Sequence, residues 1–214
     1  MIAALLLLPL AGCGGTGAGD VTRWMTGGLL GRGEPEPMDI AARERAASEE
    51  EDAPDTLTLA MGRREATATL IQRQGSHRLW RAPGGVVVAT DGARITATAG
   101  LPQMVMATRF DGPDPLEDPR ALLRRGAEAR RLVDVAGRDR NPAGMRFGLA
   151  FDCRLRAYAT EEAGTILVEE RCRVPGLSPV TNRFWASEAT GRIEYAEQWV
   201  GPGVPAMALE FPSD

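Results

Sequence analysis

The sequence predicts an all-β domain over residues 55–214, an antiparallel barrel-like or two-sheet sandwich fold of about twelve strands with little helix. Three observations lead there. From residue 55 onward, apolar and polar residues alternate with the period of a strand, not of a helix. Turn-forming pairs punctuate these runs at short intervals. One long segment, 151–174, carries two unrelated patterns that demand the same hairpin register.

Residues 14–37 precede the alternation and are rich in Gly and Pro, with GGTGAG early and GRGEPEP late, the composition of a flexible tether. Residues 39–50 have helical composition, with Asp39 as N-cap. Glu49-Glu50-Glu51-Asp52 would sit at the C-terminus of that helix, where negative charge is unfavourable by roughly 0.3–1 kcal/mol. A short helix ending before Pro54 is therefore expected.

Alternation begins with Thr56-Leu57-Thr58-Leu59 and returns in Ala66 to Leu70. Gln74-Gly75-Ser76-His77 reads as a turn. The runs Val86–Thr90 and Ala93–Thr98 flank Asp91-Gly92, a hairpin signal because a type I′ turn needs positive φ at its central positions. A two-residue loop there sets Val88 against Ile95 and Val86 against Ala97. Residues 111–119, DGPDPLEDP, form a loop. Asp118-Pro119 opens a short helix through Ala121, Leu122 and Leu123, which Gly126 ends. Leu132–Val135 returns to strand.

In segment 151–174, Glu161-Glu162-Ala163-Gly164 is the turn between two β-prone arms. Symmetric pairing sets Tyr158 against Leu167, Leu155 against Glu170 and Cys153 against Cys172. One face then carries Phe151, Cys153, Leu155, Ala157 and Ala159 opposite Val174, Cys172, Glu170, Val168 and Ile166. It is apolar except for Glu170. The other face holds Asp152, Arg154, Arg156 and Tyr158 opposite Arg173, Arg171, Glu169 and Leu167. A one-residue slip would mix the two faces. The register that sorts polar from apolar also brings the cysteines together, so a disulfide is expected. It would contribute roughly 3 kcal/mol in the chain-entropy model.

Arg183–Ser187 and Arg192–Tyr195 flank Glu188-Ala189-Thr190-Gly191. A four-residue loop sets Phe184 beside Tyr195 and Ala186 beside Ile193. Ala206–Phe211 makes the last strand.

The chain has 214 residues, 43% of them hydrophobic, enough for one substantial core. Its formal net charge is −4 and all 25 basic residues are Arg, spread among acids without the clustering of a nucleic-acid binder. With His77 as the one histidine, no multi-histidine metal site can be built, and no metal or cofactor is expected.

The N-terminus sets the compartment. Ile2–Leu8 is an almost unbroken apolar run, followed by Leu10-Ala11-Gly12-Cys13. It is too short to span a bilayer, which takes roughly 20 residues, and has the length of a signal-peptide core. Small residues before a cysteine read as a lipobox: residues 1–12 form a lipoprotein signal peptide, and Cys13 becomes the acylated first residue of a lipidated tether over 13–54. No Arg precedes the run, the one element of a signal peptide the sequence lacks. Gly14 stands where inner-membrane retention would ask for Asp, which favours the outer membrane. Export into an oxidising compartment agrees with a Cys153–Cys172 disulfide.

Several readings compete for a site. Ser76, His77 and Asp91 could be assembled into a triad, but they fall on a turn without a G-x-S-x-G motif. Glu49-Glu50-Glu51 and Glu161-Glu162 could suggest glycosidase carboxylates, but they fall in a charge run and at a turn tip. No catalytic residue is assigned. Trp80, Trp185, Tyr195 and Trp199 could make a sugar-stacking platform, although a core or rim place is the commoner fate of such rings. The candidate binding surface is Arg154, Arg156, Arg171 and Arg173 on the polar face of the hairpin, with Trp185 and Trp199.

Leu79-Trp80-Arg81, then Asp91-Gly92-Ala93-Arg94-Ile95, then Gly100-Leu101-Pro102 resemble the first half of the YjbF/GfcB lipoproteins. Asn182-Arg183-Phe184-Trp185, Thr190-Gly191, Glu197-Gln198 and Pro202 are similar to the second half in the same order. The resemblance covers roughly 55–212 and the lipobox. It implies a β-rich, barrel-like domain anchored at the outer membrane on its periplasmic face. It also implies a part in exopolysaccharide or group 4 capsule production without enzymatic activity. The expected partners are polysaccharide-export proteins or the glycan itself, with the membrane reached through the lipid. Two other functions remain open on the residues: a periplasmic glycan-modifying hydrolase, and a β-barrel carrying lipid in an apolar cavity.

Overall fold

Alternating sequence becomes a twelve-stranded antiparallel sheet in the computed structural model, which describes residues 55–139 and 141–212. The expected tether, the helix over 39–50, Cys13 and the acidic run at 49–52 lie outside the described residues. The strands are β1 (Thr56–Met61), β2 (Arg64–Gln74), β3 (His77–Arg81), β4 (Val87–Asp91), β5 (Arg94–Ala99) and β6 (Gln103–Phe110). They continue as β7 (Ala127–Gly137), β8 (Arg146–Ala159), β9 (Thr165–Arg173), β10 (Val180–Ser187), β11 (Ile193–Gln198) and β12 (Met207–Glu210). Among the described residues a single α-helix, α1 (Ala121–Arg124), lies between β6 and β7. The expectation of many strands and little helix holds.

Consecutive strands pair throughout, with one exception, and β1 pairs with β12. The exception is β5 and β6, which lie side by side without a ladder. The result is a nearly closed barrel with one seam, spanned where Val105 N donates to Thr98 Oγ1 at 3.0 Å. Closure leaves few unpaired edges, the usual liability of a sheet. The Gly100-Leu101-Pro102 turn joins the seam strands. Gly100 adopts φ +80°, and a Cβ there would lie 2.4 Å from the Gly85 carbonyl oxygen. Only glycine allows the two loops to approach so closely.

Inward-pointing residues build two apolar clusters. One gathers Leu57, Leu59, Trp80, Val88, Ile95, Met104 and Leu209, mainly from β1–β6 and β12. The other gathers Val133, Phe151, Leu155, Ile166, Val168, Phe184 and Ala196 from β7–β11.

The β8–β9 hairpin has the predicted register: Cys153 opposite Cys172, Leu155 opposite Glu170 and Tyr158 opposite Leu167. Other expectations need correction. The β4–β5 turn is Gly92-Ala93, with Asp91 paired to Arg94 and Thr90 to Ile95. A bulge then sets Val88 against Thr98 instead of Ile95. Gly92, at φ 53°, thus takes the first turn position, where primed turns require positive φ, and Asp91 stays in the strand.

The β10–β11 hairpin has Ala186 opposite Ile193 as expected, but a bulge between Trp185 and Ala186 sets Phe184 against Ala196 and Tyr195 against Trp185. The shift sends Phe184 into the core opposite a small residue and leaves Trp185 and Tyr195 edge to face, ring centroids 5.1 Å apart. The short helix begins at Ala121, two residues after the expected Pro119, although the Asp118 carboxylate does accept from Ala121 N. It stops at Arg125, which is already extended, and not through a left-handed Gly126. Gly126 instead packs against β8, where a Cβ would meet Leu155 O at 2.9 Å.

Candidate functional site

The apolar face of the β8–β9 hairpin contains one carboxylate, Glu170, and the barrel is organised to answer it. Glu170 is fully buried. Arg131 on β7 donates from Nη1 to both its oxygens, at 2.8 and 2.9 Å. Arg94 on β5 donates to Oε2 at 3.1 Å, and the Asn182 amide on β10 donates to the same oxygen. Arg94 also makes a two-point contact with Asp114. Two guanidiniums thus face two carboxylates, and the cluster is neutral as a whole. Phe110 and Phe184 lie 5.0 and 5.2 Å from the Arg94 guanidinium, and Phe151 lies 5.1 Å from that of Arg131, so the remaining faces of the cations rest on rings.

Burial alone would raise the Glu170 carboxyl, but Arg94 and Arg131 outweigh it and hold it down at about 2. Burial also works against the Arg94 charge, yet Glu170 and Asp114 raise its pKa above the ordinary arginine value. Arg131 is pulled below that value by burial, with Glu170 supporting its charge and Arg94 opposing it.

Side-chain amides complete the interior. Asn182 Oδ1 accepts from Trp199 N at 2.8 Å. Gln198 accepts from Ile95 N at 3.0 Å and donates to Ala93 O at 2.8 Å, tying β11 to the β4–β5 turn. No buried side-chain polar atom among the described residues lacks a partner. Arg94, Asn182 and Gln198 belong to the motifs that carry the family resemblance. Their place is inside the barrel.

The disulfide sits beside this cluster, joining Cys153 and Cys172 across β8 and β9. Both sulfurs lie within 4.8 Å of a Glu170 oxygen, a grouping that could ligate a metal only as free thiolates. The S–S bond occupies the sulfurs, and two arginines and Asn182 occupy the carboxylate.

Outside the same strands lies a half-open cleft of about 1060 Å³. Its floor is the polar face of β7–β9, including Arg154, Arg156, Arg171 and Arg173, which the sequence placed on one face. Its wall is the 111–115 loop, missed in the sequence as part of any site. Asp114 fixes that wall: it caps its own loop by accepting from Leu116 N and reaches the buried Arg94. The interior cluster therefore positions the rim of the outer cleft. Three floor arginines are spoken for, Arg154 by Glu128, Arg130 by Asp152 and Arg171 by Glu169.

Trp80, Trp185, Tyr195 and Trp199 do not join this surface. Trp80 is buried in the first core, its indole N–H donating to Thr90 Oγ1 at 3.2 Å. Trp185 packs on Tyr195, and Trp199 tilts against Phe151 with centroids 5.2 Å apart. Neither Trp185 nor Trp199 borders the cleft. His77 is exposed at its hairpin end, with Nδ1 3.8 Å from Asp91. Glu161 and Glu162 are exposed at their turn.

A family model described as group 4 capsule polysaccharide lipoprotein gfcB, YjbF matches residues 43–211. The chain belongs to the YjbF family. Membership places this YjbF protein among capsule polysaccharide lipoproteins and bears out the resemblance read from its motifs. No curated protein matches the chain. In fold it is similar to the hypothetical lipoprotein YmcC from Escherichia coli K12, with a TM-score of 0.62 and 15% identity over 85% of this chain and 100% of that one. Among the described residues of this YjbF protein, no helix is long and apolar enough to cross a membrane.

Proposed function

We propose that this YjbF protein is a non-enzymatic accessory factor of capsule or exopolysaccharide assembly and export. It is fastened through lipid on Cys13 to the outer membrane, faces the periplasm and acts by binding. Family membership over residues 43–211 carries the assignment to capsule polysaccharide. The lipobox supports the anchor, and the cleft over β7–β9 supplies a surface for glycan or for an export protein.

The competing functions fare less well. A lipid carrier needs a cavity of several hundred cubic ångströms or more. Beside the buried cluster the interior void is about 10 Å³, and both cores are packed. Glycoside hydrolysis asks for two carboxylates flanking the bond, one of them kept protonated. Of the five carboxylates lining the cleft, Asp114, Glu128, Asp152 and Glu169 are each closed on a guanidinium, which leaves Asp111 without a second acid beside it. Deleting the gene and measuring surface polysaccharide tests the proposal. A marked loss is expected, and an unchanged amount sinks it.

A further inference from the structure

We infer that the cleft over β7–β9 binds a carboxylate-bearing polysaccharide, gripped by Arg156 and Arg173. The inference rests on the binding function proposed above and names its ligand class. The cleft floor carries five arginines, at 130, 154, 156, 171 and 173, against three carboxylates, at 128, 152 and 169. Those three carboxylates are closed on the other three arginines. Arg156 and Arg173 lie opposite Glu169 and Asp152 in register, but those acids are already engaged. Both guanidiniums are exposed, border the cleft and have no acceptor among the described residues. Of the two acids on the wall, Asp114 is turned toward the buried Arg94 and is matched there, and Asp111 is exposed. The floor is therefore left with a surplus of positive charge that Asp111 offsets only in part, and with two open planar forks, a geometry that meets a carboxylate through two parallel hydrogen bonds.

The spacing selects a chain over a single sugar. Arg173 lies four residues along β9 from Glu169, the partner of Arg156. That is about 13 Å at roughly 3.3 Å per residue, longer than one sugar ring. Tyr158, 46% exposed and bordering the same cleft, offers a ring face on which a sugar can stack. A cleft of about 1060 Å³ holds several sugar units.

The test uses the full chain purified in detergent, titrated calorimetrically with oligogalacturonate and, separately, with neutral dextran of similar length. Binding is expected for oligogalacturonate only, weakening as salt rises. Arg156→Ala/Arg173→Ala should reduce affinity at least tenfold, while Arg63→Ala, an exposed arginine on the β1–β2 turn, leaves it within twofold. Absence of oligogalacturonate binding, equal binding of dextran, or full affinity in the double variant overturns the inference. A chromosomal double variant separates it from the broader function. If deletion abolishes surface polysaccharide and the double variant leaves it intact, the arginine grip fails while the accessory function stands.

Discussion

Arg131 Nη1 lies 2.8 Å from one carboxylate oxygen of Glu170 and 2.9 Å from the other, with both side chains buried on the inner face of β7 and β9, on either side of β8. Arg94 reaches the same carboxylate from β5, on the far side of the seam. The two apolar clusters are thus joined by charge as well as by packing. Buried pairs of this kind are weak contributors to net stability, because desolvation offsets most of the attraction, but breaking one leaves a buried charge uncompensated.

Replacing Glu170 by Gln keeps the shape and removes the charge. Arg94 retains Asp114, but Arg131 loses its one carboxylate partner. The expected loss is about 3–5 kcal/mol, the range for removing one member of a buried pair. Urea unfolding of Glu170→Gln against the parent protein measures it. Arg154→Ala, which breaks the exposed pair with Glu128, should move the midpoint little, since exposed pairs contribute little. Equal midpoints for parent and Glu170→Gln would show that the carboxylate is dispensable.

Acid should unlock the same cluster. The Glu170 carboxyl titrates at about 2 in the fold, against an ordinary value of 4.5. Its folded value is depressed, so its contribution is complete above pH 4.5 and is lost as pH falls through about 2. The shift corresponds to on the order of 3 kcal/mol. Stability followed by urea midpoint from pH 6 to pH 2 should fall in this window for the parent protein. In Glu170→Gln this part of the slope should be missing. A variant with the parent's slope would assign acid sensitivity to other carboxylates.

The Cys153–Cys172 bond closes a segment with a sequence separation of 19. In the chain-entropy model such a bond contributes about 3 kcal/mol by restricting the unfolded chain. Cys153→Ala/Cys172→Ala should therefore unfold at lower urea while still folding, because the rest of the β8–β9 ladder and both flanking strands remain. Reductant should lower the parent's midpoint toward that of the variant and leave the variant unmoved. A parent insensitive to reductant during unfolding would mean that the thiols are not joined.

The register of β8–β9 could be read from sequence because two local signals coincided, the sorting of polar from apolar residues and the facing cysteines. Where a bulge intervenes, as at Ala89/Thr90 and Trp185/Ala186, pairing extrapolated from the turn is displaced. Local alternation contains nothing that marks an extra residue. The four hairpin arginines were legible as one face, whereas the loop that walls their cleft was not. Asp114 is placed by Arg94, 20 residues away, and Arg94 meets Glu170 across 76 residues. Glu170 was the visible clue, the lone acid on an apolar face. Such a residue needs buried cations somewhere, but sequence alone does not name them. Arg94, Asn182 and Gln198 were noticed as motif residues, and only the fold shows that they meet.

The anchor gives the last prediction. Small residues before Cys13 and an apolar run of signal-peptide length predict cleavage at that cysteine and acylation of the new N-terminus. One acyl chain holds a protein to a bilayer only marginally, and each buried methylene adds about 0.8 kcal/mol, so several chains make the attachment effectively stable. Cells expressing the parent chain and fed labelled palmitate should show label in a membrane-bound product of mature length. Cys13→Ser should take up no label and leave the membrane fraction, while the Cys153–Cys172 disulfide still forms if export persists. Retention of Cys13→Ser in the outer membrane would transfer the anchoring role to the folded domain or its partners. Label recovered in the inner membrane would instead overturn the reading of Gly14.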